Sequence, residues 1–311
     1  MSPRDESALH AASAACRTVR LDVRYRGTAF RGFAANAGVR TVAGELSAAL
    51  EQVLGESPAL TVAGRTDAGV HATGQVVSFR LSGEALRRAT RAERRSNPNT
   101  DGDAHDAPDA ATSCSAERCA VRAGELGGRC RLDRLAGSLN RLLQPEIAVT
   151  TASFVDDGFD ARRSAVARAY EYRVRNATHP DPRYCDLEWH IAAPLDLGQM
   201  NAAAACFVGE HDFTSFCRRP KGCLDASLVR NVTRAIWTAQ GARLLFEIEA
   251  NAFCHQMVRA IVGQCVAAGR GTSAASDVPA VLTARNRNAA APIAPPHGLT
   301  LVAVRYPDTT P

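Results

Sequence analysis

The amino-acid sequence predicts an α+β protein of two similar lobes, and three observations carry that prediction. Stretches with the two-residue alternation of half-buried strands are interleaved with stretches whose apolar residues recur every three or four positions. Each half of the chain, divided near residue 156, runs through its own strand–helix–strand succession. The segments 230–240 and 243–251, joined near Gly241, have the pattern of an antiparallel pair. The halves share no clean sequence repeat, so any symmetry between them lies in structure alone.

Taken in order, Val19 to Tyr25 alternates apolar and polar positions and turns at Gly27, which is a strand running into a loop. Residues 41–55 place Val42, Leu46, Leu50 and Val53 at helical spacing, with Thr41 as N-cap and Gly55 as stop. Two short strands, 59–64 and 75–81, enclose the loop between them. From 83 to 131 large apolar residues almost vanish and charges of both signs mix. Such text buries too little surface to offset its ordering entropy, and reads as a flexible low-complexity insertion with room for helix at its ends. A helix follows at 132–143 on Leu132, Leu135, Leu139 and Leu142. Pro145 stops it, and a strand runs to Val155. Residues 169–176 form a strand with Tyr170, Tyr172 and Val174 on one face. Helices are expected at 196–209 and 252–271, and a last strand at 298–307. The expected division is a disordered tail at 1–17, an N-terminal subdomain at 18–155 that carries the insertion, and a C-terminal subdomain at 156–311.

Composition narrows the classes. The 311 residues are 46% hydrophobic, enough for a sizeable core. No run approaches the roughly 18 apolar residues of a membrane helix, and the polar first residues lack a signal peptide, so no membrane and a cytoplasmic location are expected. Ten cysteines in such a chain are expected to stay reduced, and their spacings include no C-x-x-C pair, so no metal is expected. The net charge is +5, with 37 Lys+Arg against 32 Asp+Glu, which permits a nucleic-acid partner without demanding one.

The run "AGRTDAGVHATGQ" at 63–75 holds the chemistry. Gly64 and Gly69 have the spacing of a phosphate loop, but Val70 and His71 stand where its Lys and Ser/Thr belong. Calcium needs more carboxylates than one, and a nucleophile elbow needs a serine. Two readings remain. Asp67 is a turn residue capping backbone N–H groups, or it is a nucleophile or general base. Arg65 and His71 crowd this lone carboxylate, the flanking strands position it, and glycines at both ends let another backbone approach.

The text "AGRTDAGVHATGQVVSF" resembles the signature of the TruA-type tRNA pseudouridine synthases. Further blocks match in order: "YRGTAFRGF", "RTVAGELSAAL", "FDARRSAVARAYEYRV", "GEHDFTSF", "NAFCHQMVRAIVG" and "APPHGLTLVAVRYP". Together they cover nearly all of 18–307 outside the insertion. Three positions depart from the family pattern: Arg26 in place of an acid, Phe33 where tryptophan is common, and Arg163 where phenylalanine is usual. None touches the Arg-Thr-Asp block.

The resemblance implies two α+β subdomains of ferredoxin-like character, their mostly antiparallel strands forming one central sheet around a basic cleft. It implies an isomerase converting uridine to pseudouridine at positions 38, 39 and 40 of the tRNA anticodon stem-loop, without cofactor and as a homodimer. Carried over by motif, Asp67 is the catalytic aspartate and Tyr170 the aromatic at the target base. Arg259 is the basic partner of the carboxylate, and Arg65 helps displace the base. Gly64, Thr66, Gly69 and His71 support the loop. His255 reads as a cleft-wall residue, and Phe213 and Phe216 read as core. The competing readings are a nucleoside or glycoside hydrolase using Asp67, and a non-catalytic RNA-binding module.

Overall fold

A computed structural model describes residues 17–94, 132–218 and 227–307. The fold is mixed α/β: ten strands make a mostly antiparallel open sheet, accompanied among the described residues by six α-helices. No helix among those residues is long and apolar enough to cross a membrane.

Two compact units interleave along the sequence. The first comprises the described residues of Met1–Val23, Ala43–Val62 and Val76–Arg163. The second comprises those of Arg24–Val42, Ala63–Gln75 and Ser164–Pro311. The loop around Asp67 therefore belongs with the second unit, although the segments on either side of it belong with the first.

In the first unit the strand order is β4 (Ile147–Val155), β1 (Arg17–Tyr25), β3 (His71–Leu81), with the short β2 (Thr61–Val62) antiparallel to β3. Its helices are α1 (Val42–Leu54), α2 (Gly83–Arg94) and α3 (Asp133–Leu143). In α3, Leu135, Ala136, Leu139 and Leu143 form the buried stripe, and Leu142 faces outward. Helix α2 occupies the N-terminal end of the expected insertion, where the sequence leaves room for helix. Ser82 Oγ accepts from the Ala85 amide at 3.2 Å, and Ala85 and Ala89, four residues apart, are buried. The rest of the expected insertion, 95–131, lies outside the described residues, as does the expected tail apart from Arg17.

In the second unit the beginning of β3 pairs with β10 (Leu299–Arg305). The order then runs β5 (Ala167–Asn176), β9 (Arg243–Ala250), β8 (Val229–Gln240), β7 (Gly209–Asp212), with β6 (Trp189–Ile191) beside β5. Alternate residues of β5, namely Arg168, Tyr170, Tyr172 and Val174, are buried. So are Leu244, Phe246, Ile248 and Ala250 of β9, as one covered face of a strand requires. Helices α4 (Leu197–Ala205), α5 (Met257–Gly269) and α6 (Val278–Ala284) complete the unit. Helix α5 is buried nearly all round, and at Gly263 a Cβ would sit 2.0 Å from the Pro292 carbonyl oxygen. Phe213 and Phe216 are fully buried with Phe207, as their core reading expects.

Three local differences matter. Strand β3 begins at His71 rather than 75, helix α5 begins at Met257 rather than 252, and Cys217 is disulfide-bonded to Cys254. The expectation of reduced cysteines fails at that pair because the fold, not sequence spacing, brings their Cα atoms to 5.8 Å across 37 residues.

Each unit uses one helix asparagine as a substitute strand partner. Asn140 of α3 donates to the Val149 carbonyl (2.9 Å) and accepts from its amide (2.7 Å). Asn201 of α4 does the same to Trp237 of β8, at 3.0 and 2.8 Å. Replacing either by alanine leaves a strand N–H and C=O without their partner. Asn140→Ala and Asn201→Ala should each cost about 1–3 kcal/mol, read as a lowered midpoint in chemical denaturation.

Candidate active site

Asp67 sits at the first position of a four-residue turn closed by the Val70 amide on the Asp67 carbonyl at 3.2 Å. Gly69, the third residue, has φ of +79°, which a turn of this kind demands and a side chain resists. The backbone that approaches the loop closely does so at glycines outside it. A Cβ on Gly27 would lie 2.0 Å from the Val70 carbonyl oxygen, and one on Gly32 would lie 3.0 Å from that of Thr66. At Gly64 the nearest neighbour of such a Cβ is the Tyr170 hydroxyl, at 3.6 Å.

Buried polar groups fix the loop from beneath. Gln75 is fully buried, and its amide donates to the Gly64 carbonyl (2.7 Å) and the Tyr25 hydroxyl (3.2 Å). That hydroxyl also meets Thr66 Oγ1 at 2.8 Å. Burial pushes the Tyr25 phenol up to about 12, against the opposing hydrogen bonds from Thr66 and Gln75.

His71 is 4% exposed, and its partners define its tautomer. Nδ1 accepts from the Gly27 amide at 3.0 Å. Nε2 therefore carries the proton, facing the carbonyl oxygens of Asp186 (3.0 Å) and His297 (3.1 Å), which can only accept. Burial lowers its pKa, with the two carbonyl contacts opposing. A second proton on Nδ1 would point straight at an N–H. The ring is a structural bolt.

The carboxylate faces α5. Arg259 Nη1 lies 2.9 Å from Asp67 Oδ2, and Arg259 Nε donates to the Ala294 carbonyl at 2.8 Å, so the guanidinium is aimed from both sides. His255 Nε2 is 3.3 Å from the other oxygen, Oδ1. Sequence reasoning places His255 at the wall of the site, whereas the structure puts it on the carboxylate itself. Its position two residues before α5 is the available signal.

Tyr170 enters through strand register. Leu301 of β10 lies opposite Ala72 of β3 on one side and Tyr170 of β5 on the other. The end of β3 that follows the Asp67 loop is thereby set one strand from Tyr170. The phenol is buried, and its pKa is raised by that burial and then by the fields of Tyr25 and Asp67, with Arg168 opposing. Phe253 meets the Tyr170 ring edge-on at 5.1 Å. Arg168, which sequence reasoning does not single out, is a buried clamp. It donates to the Ala63 carbonyl twice (3.3 and 3.1 Å) and to those of Ala165 (3.0 Å) and Asn251 (2.9 Å). Arg65 is exposed and makes no hydrogen bond or ion pair among the described residues. The structure thus joins Asp67, Arg259, His255 and Tyr170, with Gly64, Thr66, Gly69 and His71 beneath or beside them, and leaves Arg65 outward.

Chemically, the arrangement is one carboxylate with two nitrogen partners beside a buried phenol. The groups on its two oxygens are a guanidinium and an imidazole; neither is a second carboxyl group.

Known proteins match this chain over most of its length. Residues 203–307 match a family described as tRNA pseudouridine synthase. The chain is 38% identical to the tRNA pseudouridine synthase A of Leifsonia xyli subsp. xyli, with 93% of this chain and 91% of that one covered. It is 40% identical to the protein of that name from Frankia casuarinae, covering 93% and 89%. With the Shewanella woodyi protein of that name the identity is 36%, covering 93% of each.

The tautomer of His71 has a consequence for stability. Because its folded-state pKa lies below the ordinary value, the unfolded chain binds more protons as pH falls below about 6.5, and stability is lost from there down through the folded pKa. Wild-type melting temperature should fall as pH is lowered from 7.5 to 5. The slope should be shallower in His71→Gln, with His297, also lowered by burial, supplying what remains.

Proposed function

This chain belongs to the tRNA pseudouridine synthase A family, and from that premise we propose that it converts uridine to pseudouridine at positions 38, 39 and 40 of the tRNA anticodon stem-loop, with Asp67 as its catalytic carboxylate. Membership itself makes the chain an isomerase of the pseudouridine-forming class acting on tRNA. The observation that carries the choice of carboxylate is Asp67 itself, set in a glycine turn and paired at 2.9 Å with Arg259.

The reaction breaks the N1–C1′ bond, turns the base, joins C5 to C1′ and releases the proton from C5. It is redox-neutral, and no cofactor enters the scheme. Asp67 serves as nucleophile at C1′ or C6, or takes a proton in an elimination. Arg259 orients it. The target base leaves its stack at a cost of a few kcal/mol. Tyr170 supplies an aromatic surface for the base, in stacking worth about 1–3 kcal/mol. Arg65, exposed at the rim of the loop, is available to RNA and is assigned to displacing the base. Gly64, Thr66, Gly69 and His71 keep the loop in shape. The partners of Asp67 favour this scheme over a glycosidase, whose mechanism wants a second carboxyl group as acid. By the same family reading we assign the fold to the pseudouridine synthases, with two subdomains of similar construction, and the working form to a cytoplasmic homodimer.

Unmodified tRNA transcripts incubated with the purified protein, followed by carbodiimide labelling and primer extension, test the assignment. Stops are expected at 38, 39 and 40 wherever uridine stands there. Stops confined to another arm would overturn the positions. Free uracil with an abasic product would mark a hydrolase, and unaltered but bound tRNA a binding module.

A further inference from the structure

Three consecutive residues of the loop between β9 and α5 fasten it to three different places. Phe253 lies edge-on against Tyr170 at 5.1 Å. Cys254 is bonded to Cys217, which follows the short turn Thr214–Phe216. His255 Nε2 stands 3.3 Å from Asp67 Oδ1. The next residue beyond Cys217 adds a fourth tie, its Arg218 amide donating to the His255 carbonyl at 3.0 Å. The loop is otherwise irregular, and it ends in Gln256 at φ +67°, a left-handed conformation a non-glycine residue adopts at some cost. The disulfide is thus the one covalent tie on the segment that presents His255 to the carboxylate.

Nothing in the isomerisation consumes or supplies electrons, so the reaction gives this bond no role. Its accessibility gives it one. Cys217 is buried at 4% exposure, whereas Cys254 is only partly buried, so Cys254 is the half of the bond on the solvent side and the one at which attack is assigned. The other described cysteines, Cys185, Cys206 and Cys265, are free, and burial pushes the Cys265 thiol up to about 12, which removes it as a competing nucleophile.

We propose that Cys217–Cys254 is a thiol–disulfide exchange site for low-molecular-weight thiols and disulfides, and that its oxidation pins His255 on Asp67 and slows the enzyme. In reduction, a thiolate attacks the Cys254 sulfur, forms a mixed disulfide there and expels Cys217 as thiolate. A second thiolate attacks the mixed disulfide, releasing the small-molecule disulfide and the Cys254 thiolate. The two protons that the small thiols lost on ionising return through solvent to the two cysteine thiolates. The balance is one protein disulfide and two thiols giving one protein dithiol and one small disulfide. The rate claim rests on the assignment of Asp67 made above. In the bonded form both carboxylate oxygens are engaged, Oδ2 by Arg259 and Oδ1 by His255. Arg259 is anchored on a helix and on the Ala294 carbonyl, so His255 is the partner able to withdraw when its loop is released.

The full chain, equilibrated with glutathione at graded ratios of reduced to oxidised form, provides the test. Alkylation and mass spectrometry count the Cys217–Cys254 disulfide, amide exchange reads residues 218 and 251–257, and tritium release from [5-³H]uridine-labelled tRNA reads turnover. Exchange and initial rate should rise together as the disulfide is lost, the rate by at least about fivefold, the low end of ordinary coupling between sites. Cys217→Ser and Cys254→Ser should each stay at the reduced values at every ratio. Exchange in wild type that ignores the ratio overturns the proposal, as does an oxidised form that turns over as fast as the reduced one. If exchange follows the disulfide and neither form releases tritium, the exchange site stands while the rate claim and the proposed uridine isomerisation fail.

Discussion

The ion pair between Asp67 and Arg259 joins residues 192 positions apart, and the arrangement of the site follows from it. Both side chains are mostly covered, at 20% and 14% exposure, so the pair is only partly screened by water. Removing one member of such a pair strands the other, which costs far more than the pair contributes when intact. The turn at Asp67 and the first turn of α5 therefore have to be placed independently and well, and the fold commits its buried polar groups to doing so.

Those groups work from opposite sides. Beneath the loop, Gln75 and His71 satisfy main-chain groups of Gly64, Gly27, Asp186 and His297, and the Tyr25 hydroxyl joins the Gln75 and Thr66 side chains. Across from it, Arg168 binds the carbonyls of Ala63 and Asn251 with one guanidinium, tying the segment leading to Asp67 to the segment leading to His255. A buried network of this sort is rigid only while every member is paired. The parallel pairing of β10 with β3 sets the remaining coordinate, because the same Leu301 faces both Ala72 and Tyr170. Position is decided by sheet register and orientation by hydrogen bonds.

Much of this is legible in the residues, for physical reasons that differ from one element to the next. Strand β5 shows its alternation openly, since Tyr170, Tyr172 and Val174 are large and all buried. Asp67 stands out because a lone acid held between glycines and beside an arginine is suited to little besides a turn or chemistry, and the partner role of Arg259 comes from its motif. His71 reads from the sequence as a loop support, and what the structure adds is its three backbone partners. Arg168 looks like any strand cation, and its function depends on two carbonyls, of Ala63 and Asn251, contributed by other segments. The disulfide is hidden for the same reason, as is the contact of His255. Helix α2 lies at the end of the insertion, where composition leaves room for helix, and its buried positions include the small residues Ala85 and Ala89 rather than the large apolar residues that mark the other helices. Contacts within a few residues are written in the sequence, and those across the fold are written only through motif.

The most direct measurement is tritium release from [5-³H]uridine-labelled tRNA by reduced wild-type protein and by Asp67→Asn, with tRNA binding followed in parallel. If Asp67 is the catalytic carboxylate, wild type releases tritium, the variant releases none above background, and both bind tRNA similarly. Release by Asp67→Asn at a rate near that of wild type would contradict that role.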